Sequence, residues 1–310
     1  ASRYFCFFEK ETGKMPHRIK VFAALTATML FWAFSFVCTK VAFTVFTPVS
    51  TIWLRLVVSS LFIFGYLFLT KRFQPLRKED VKWLLALSFF QPFLYFMGES
   101  NGLNYISSTM GSVIVSTIPL LAPIPGVLFM NERFSWLNLA GIVISFSGVG
   151  LILFENGFEL TAPIEGLLFM ALAVFAALAY SVVIKRMGNR YSPVNLTAWQ
   201  NLFGIGFFSP FFYINEWERF ISTPVTAEAL KALLLLSIFA SSFAFIFFAY
   251  GISRIGVTRA NVFANMIPVF TAIFAWIVLD EALTVKKLAG IAIVIGGLFI
   301  SQLRRNGETP

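Results

Sequence analysis

Long apolar runs separated by short polar stretches organise this chain. Ten of them stand out, at 19–43, 49–70, 82–103, 107–130, 136–154, 164–184, 194–214, 229–250, 257–279 and 286–303. A helix crossing the hydrocarbon core of a bilayer needs about 20 mostly apolar residues, so each run predicts one membrane-spanning helix. The first is too long to read as a removable signal peptide. The predicted fold class is therefore an all-α integral membrane protein of ten transmembrane helices.

The polar stretches between the runs orient the chain. Numbered along the ten spans, one side collects Lys71, Arg72, Arg77, Lys78, Lys82, Arg133, Lys185, Arg186, Arg190, Arg254 and Arg259, with the basic tails at both ends. The other side holds Arg219, Lys231, Lys286 and Lys287. Excess Lys and Arg marks the cytoplasmic side, which places both termini there. The acidic link around Glu155, Glu159 and Glu165 then faces out and divides the chain. The expected organisation is a cytoplasmic tail over 1–18, a first five-helix unit over 19–155, an extracytoplasmic link over 156–163, a second five-helix unit over 164–303 and a C-terminal tail over 304–310.

The two units repeat one another. A shift of 149 residues brings together Gly102 and Gly251, Thr109 and Thr258, Pro119 and Pro268, Glu132 and Glu281, Gly141 and Gly290, and Gly148 and Gly297. A shift of 145 pairs Lys40 with Lys185 and Pro48 with Pro193. At that shift Trp32 meets Ala177 and Arg55 meets Gln200, so the first two helices of each unit differ. Five spans per unit is an odd number, so the second unit enters the membrane from the opposite side. Inverted repeats of this kind are the architecture of many secondary transporters, with a site between halves that exchange inward-open and outward-open shapes.

Composition narrows the function. The 310 residues are 58% hydrophobic and 13% charged, against about 45–50% and 25% in soluble domains. Phe occurs 39 times, which suits surfaces in contact with lipid. The net charge of +9 lies mostly in the loops, where the membrane accounts for it and a nucleic-acid partner is not implied. His17 is the single histidine, and Cys6 and Cys38 lie in unrelated settings, so neither His-based catalysis nor a Cys or His metal site is expected. No Gly-x-Ser-x-Gly or Walker phosphate loop occurs, and Glu99 is the one acid clearly inside a span, which rules out an intramembrane carboxylate dyad. The reading is not an enzyme, with no cofactor, and with solute gradients or exchange rather than ATP as the driving force.

Ionisable groups in hydrocarbon cost at least about 2.5–3.5 kcal/mol at mid-helix and normally face a partner or a wet cavity. Lys40, Arg55 and Glu99 are the candidates, with Glu99 pairing one of the cations and a substrate carboxylate competing for it. Gln91, Tyr95 and Glu99 recur every four residues and so share a helix face. Asn261 and Asn265 form a similar pair, whose amides a solute or a neighbouring helix would satisfy. Trp32, Ser35 and Phe36 in the first half, and Tyr180, Trp199 and Gln200 in the second, would line a pocket for a solute with an apolar body and a few polar groups. Pro119 and Pro268 read as mid-helix bends, either static or hinges for gating. Glu132 and Glu281 read as caps for the helices that follow them. The glycine pairs Gly141/Gly148 and Gly290/Gly297 allow close helix packing, either within the fold or across a homodimer.

The chain resembles the EamA family of the drug/metabolite transporter superfamily over roughly residues 20–303. The resemblance is carried by Phe31-Trp32-Ala33-Phe34-Ser35-Phe36 leading to Lys40, by Pro48 with Trp53-Leu54-Arg55, by Gly102-Leu103-Asn104-Tyr105, by Ile118-Pro119-Leu120, and by Asn131-Glu132 and Asp280-Glu281, each followed by a Leu-Ala-Gly helix start. It implies ten helices, cytoplasmic termini, a bacterial-type inner membrane, and export or exchange of metabolites, often amino acids. The leading expectation is an exporter of amino acids or similar small amphipathic metabolites working by alternating access. The alternatives are exchange of sugar phosphates or nucleotide sugars, which would require several cations in mid-membrane, and export of hydrophobic cations, which would require an unpaired Glu99.

Overall fold

The computed structural model describes residues 15–130, 135–155, 159–187, 190–255, 260 and 263–302. It is helical throughout, apart from a two-residue antiparallel ladder pairing Phe154 with Leu160 and Glu155 with Glu159. In chain order the helices are α1 (Met15–Ala42), α2 (Pro48–Leu69), α3 (Val81–Ser88), α4 (Tyr95–Tyr105), α5 (Ser108–Val115), α6 (Ile118–Leu121), α7 (Pro123–Met130) and α8 (Trp136–Leu153). They continue as α9 (Ile164–Met187), α10 (Pro193–Phe211), α11 (Trp217–Ser222), α12 (Ala227–Leu235), α13 (Ala244–Ile255), α14 (Ile267–Leu279) and α15 (Val285–Gln302). Among the described residues, seven helical stretches are long and apolar enough to cross a membrane, and Phe263–Leu279 is apolar but shorter. Large apolar side chains such as Leu61, Leu168, Phe175 and Ile277 stand on the outside. Lipid accepts such a surface, whereas water would penalise it.

Several stretches that the hydropathy pattern reads as single helices are built from pieces. Between α3 and α4 the backbone passes through a π-helical segment, Phe89–Leu94, in which Gln91 is extended (φ −148°, ψ 117°). Pro92 follows and has no N–H to donate, so the regular ladder cannot run through it. Further π-helical turns lie at Phe212–Glu216 and Leu236–Phe243. Pro119 and Pro268 are not mid-helix bends. Each occupies the first turn of a helix piece, α6 and α14, just after the chain has broken or tightened. Proline suits that position because the missing N–H would have no partner there anyway.

Two close crossings hold the bundle. In the first, α8 and α15 meet at their glycines. A Cβ added at Gly141 would lie 2.6 Å from Gly297 O, and one at Gly148 would lie 2.8 Å from Gly290 O. The relation is reciprocal, since Gly290 faces Gly148 O at 2.9 Å and Gly297 faces Gly141 O at 2.6 Å. The glycines therefore serve a contact within the chain. In the second crossing, Gly98 of α4 lies against the backbone of Phe169 and Ala173 on α9. Backbones this close gain dispersion contacts that larger residues would prevent.

At one end of the bundle the loop after α2 is stapled to the start of α10. Buried Asp80 accepts from Arg190 and from the Tyr191 hydroxyl (3.0 Å), and Tyr191 in turn accepts from the Arg77 N–H (3.0 Å). Gln74 accepts from the Ser192 N–H (2.8 Å), and its own N–H donates to Asn195 Oδ1 (2.8 Å). Trp199 belongs to this staple. Its indole N–H donates to Gln74 O at 3.0 Å, and its ring packs on Phe64 and Phe73.

The glycine crossing makes a specific demand on side-chain size. Gly297→Ala puts a methyl 2.3 Å from Ser145 Oγ and 2.6 Å from Gly141 O, an overpacking that costs about 1–3 kcal/mol. Its neighbour Gly296 has nothing within 4 Å of an added Cβ. Thermal unfolding of the purified protein should show a lowered midpoint for Gly297→Ala and none for Gly296→Ala. Equal midpoints would remove the crossing from the account.

Candidate functional site

The ionisable groups named from the sequence do not gather at one point. Arg55 and Glu99 lie together, both buried, between α2, α4 and the π-helical segment Leu236–Phe243. Arg55 Nε donates to Ser241 Oγ at 2.5 Å, and the guanidinium carbon sits 4.5 Å above the centre of the Phe96 ring. Glu99 Oε1 accepts from the Tyr95 hydroxyl at 2.8 Å. Arg55 and Glu99 are in electrostatic range, yet they form no ion pair within 4.0 Å among the described residues. The terminal nitrogens of Arg55 and Oε2 of Glu99 have no hydrogen-bond partner among those residues. These atoms are not sealed from accessible space, unlike the unpartnered amide of Asn265. The pair thus keeps donors and acceptors that no described residue uses.

A chain of hydroxyls and amides leads away from Ser241. Ser59, one turn along α2 from Arg55, donates to Ser241 O (3.1 Å) and shares a hydrogen bond with Ser242 (3.0 Å). Asn201 Nδ2 of α10 donates to Ser59 Oγ at 3.1 Å. Next to Asn201, Gln200 donates to the carbonyl of Gln91 (3.0 Å) and accepts a long bond from the Tyr180 hydroxyl (3.4 Å). The shared face expected for Gln91, Tyr95 and Glu99 holds for Tyr95 and Glu99 only. Extended backbone at Gln91 takes that residue out of helical register, and it contributes its carbonyl rather than its side chain.

The remaining candidates lie apart. Lys40 is in electrostatic range of Glu281, not of Glu99. Trp32 donates from its indole to Ala240 O at 3.2 Å and packs on Phe245 and Phe248, while Phe36 is buried in the core against Leu103. Ser35 alone of that trio lines a cavity of about 140 Å³ between α1 and the Leu236–Phe243 segment, together with Phe31, Phe34, Cys38, Leu236 and Phe239. Residues 31, 35 and 38 share one face of α1, and 32 and 36 another. Cys38 borders the cavity and is also in electrostatic range of Arg55. Asn265 is buried with neither end of its amide hydrogen-bonded. Asn261 and Glu132 lie outside the described residues. Glu281 does not cap the helix that follows it, because the chain turns back at Asp280 in the left-handed region (φ 53°) and α15 is capped by Thr284 instead.

The sequence reading missed Ser59, Ser241, Ser242 and Phe96. A signal for Ser59 existed, since it stands four residues from Arg55 on the same helix. For Ser241 and Ser242 only the π-helical backbone decides which way they face.

The comparisons with known proteins agree with this architecture. The profile of the EamA-like transporter family matches residues 19–154 and 164–303. The chain belongs to this family. An uncharacterized transporter of Archaeoglobus fulgidus is 26% identical over 287 residues, covering 93% of this chain and 100% of that protein. The uncharacterized transporter YetK of Bacillus subtilis is 27% identical over 256 residues, covering 81% and 77%. A chloroplastic WAT1-related protein of Arabidopsis thaliana is 23% identical over 294 residues, covering 89% and 68%. One solved crystal structure superposes with a TM-score of 0.66 at 16% identity, over 90% of this chain and 95% of its own, a likeness of fold. The protein is accordingly a multi-pass membrane transporter of small solutes and not an enzyme.

Tyr95→Phe should destabilise the purified protein by about 1–3 kcal/mol, because it leaves the buried Glu99 carboxylate without its hydroxyl donor. Tyr180→Phe, which removes a bond of 3.4 Å, should change stability much less. Denaturant titration of the two variants side by side checks this, and equal losses would count against the Glu99 assignment.

Proposed function

We propose that this transporter moves amino acids or similar small amphipathic metabolites, outward, by alternating access between two inverted five-helix halves, 19–155 and 164–303, ten spans in all. The repeat in the sequence, the family match to two stretches of similar length and the reciprocal glycine crossing of α8 with α15 support the two-half reading. The basic loops support the cytoplasmic placement of the termini, and the family resemblance supports the inner-membrane location.

One observation carries the substrate class. Arg55 and Glu99 are opposite charges buried near each other, neither neutralised by a direct contact within 4.0 Å and both with hydrogen-bonding capacity left over. A zwitterion satisfies both. Its carboxylate meets the guanidinium fork, a geometry that arginine favours, and its ammonium meets the Glu99 carboxylate. The cavity of about 140 Å³ lies against the Leu236–Phe243 segment, which also carries Ser241; it has mostly apolar walls and takes the solute's apolar part in this reading. Cavities near 150 Å³ hold a group of about the size of benzene. Ser59, Asn201 and Gln200 orient the polar end. Sugar phosphates fit less well, because Lys40 lies in electrostatic range of Glu281 and Arg55 is the cation placed at the cluster among the described residues. Pro119 and Pro268, at matching starts of helix pieces, are the places where the halves would flex.

Uptake and counterflow in proteoliposomes, with labelled amino acids, sugar phosphates and cationic dyes, test the reading. Saturable amino-acid flux is the expected result. Arg55→Ala and Glu99→Gln should each lower it by at least about tenfold, since a charge-assisted hydrogen bond contributes about 1.5–3 kcal/mol. Flux confined to phosphorylated compounds would overturn the substrate class, and full flux in Arg55→Ala would overturn the site.

A further inference from the structure

One carboxylate joins three elements at the end of the bundle where α5 begins. After α14 the chain turns at Asp280, and Glu281 N–H donates back to Ala275 O at 3.1 Å. The Glu281 side chain then reaches a helix distant in sequence. Oε1 accepts from the Ser108 N–H (2.7 Å), and Oε2 accepts from the Thr109 N–H (3.3 Å) and the Thr109 hydroxyl (2.8 Å). Ser108 Oγ donates to Phe36 O of α1 at 3.2 Å, and Lys40, one turn further along α1, lies in electrostatic range of the same carboxylate. The first N–H groups of a helix have no partners within it, and an anion there is favoured by both hydrogen bonding and the helix dipole. Here the anion comes from the second half of the chain and the helix from the first.

The α8–α15 crossing is continuous packing, but this contact is a set of directional bonds to one side chain. Both of its helices are short pieces. α5 ends at Val115, and α14 follows a 3₁₀ turn, Phe263–Met266. Short pieces with breaks behind them can tilt as units, and transporter helices interrupted in this way commonly flank the solute path. We propose that Glu281 is a latch between the two halves. Its bonds to Ser108 and Thr109 hold α5 against the end of α14 and close the solute path at that end, and they break when that end opens. The latch rests on the alternating-access reading above. The repeat places the same residue types at Glu132 and Thr258, which lie outside the described residues, so the inference stands on Glu281.

Thiol labelling in lipid nanodiscs tests it without relying on flux. Ser112, one turn inside Thr109 on α5, is fully buried and serves as the reporter after Ser112→Cys in a background carrying Cys6→Ser and Cys38→Ser. Ser88→Cys, fully buried on α3, serves as the control. Glu281→Gln and Glu281→Ala should each raise the rate at which a membrane-impermeant maleimide labels position 112 by about tenfold or more, the shift expected from losing charge-assisted hydrogen bonds. Labelling at position 88 should not change. An unchanged rate at 112 in a folded Glu281 variant would show a static cap and overturn the latch. Equal increases at 112 and 88 would show general loosening and overturn it too. Faster labelling at 112 alone, with no solute flux even in the native protein, would support the opening and remove the transport reading instead. Amino-acid flux with unchanged labelling would remove the latch alone.

Discussion

A hydrocarbon layer offers no hydrogen bonds, so every backbone and side-chain polar group placed in it must find a partner inside the protein. Most of this structure is an answer to that demand. Helices satisfy their own backbones, and hydroxyls within them bond back to carbonyls a turn earlier, as Ser116 does to Ser112 O and Ser237 to Leu233 O. Where a helix start would leave N–H groups bare, a side chain supplies the acceptor. Thr47 and Ser192 do so locally, and Glu281 does so from across the fold.

The proposed solute site lies where this demand is met least regularly. The Arg55 cluster lies against a π-helical segment, and Gln91 leaves helical register beside Pro92. Irregular backbone in a membrane protein is tolerated where it is buried in protein or lines a cavity, and π-bulges are frequent at functional sites. The regular crossings do a different job. The glycines of α8 and α15 and Gly98 on α4 bring backbones together and provide a rigid frame. The polar cluster can then hold charges that would be too costly on a single helix exposed to lipid.

The amino-acid order determined a good deal alone. Hydropathy marked the apolar helical stretches, because lipid imposes an apolar length that is visible in one dimension, and the matched Gly, Pro, Thr and Glu positions are what the two-half reading rests on. Arg55, Tyr95 and Glu99 stood out because a charge or its partner inside an apolar run is rare. Only the tertiary structure decided which of these groups meet. Lys40 looks equivalent to Arg55 in the sequence, yet it lies in electrostatic range of Glu281 instead of Glu99. Trp199 looks like a pocket wall and instead pins a loop, and Glu281 caps a helix well over a hundred residues away from it in the chain. The reason is geometric. Helical periodicity says which residues share a face, but breaks at Gln91, before Pro119 and before Pro268 reset that periodicity. Which face meets which neighbour depends on how closely the backbones approach, and no residue reveals that distance until the chain is packed.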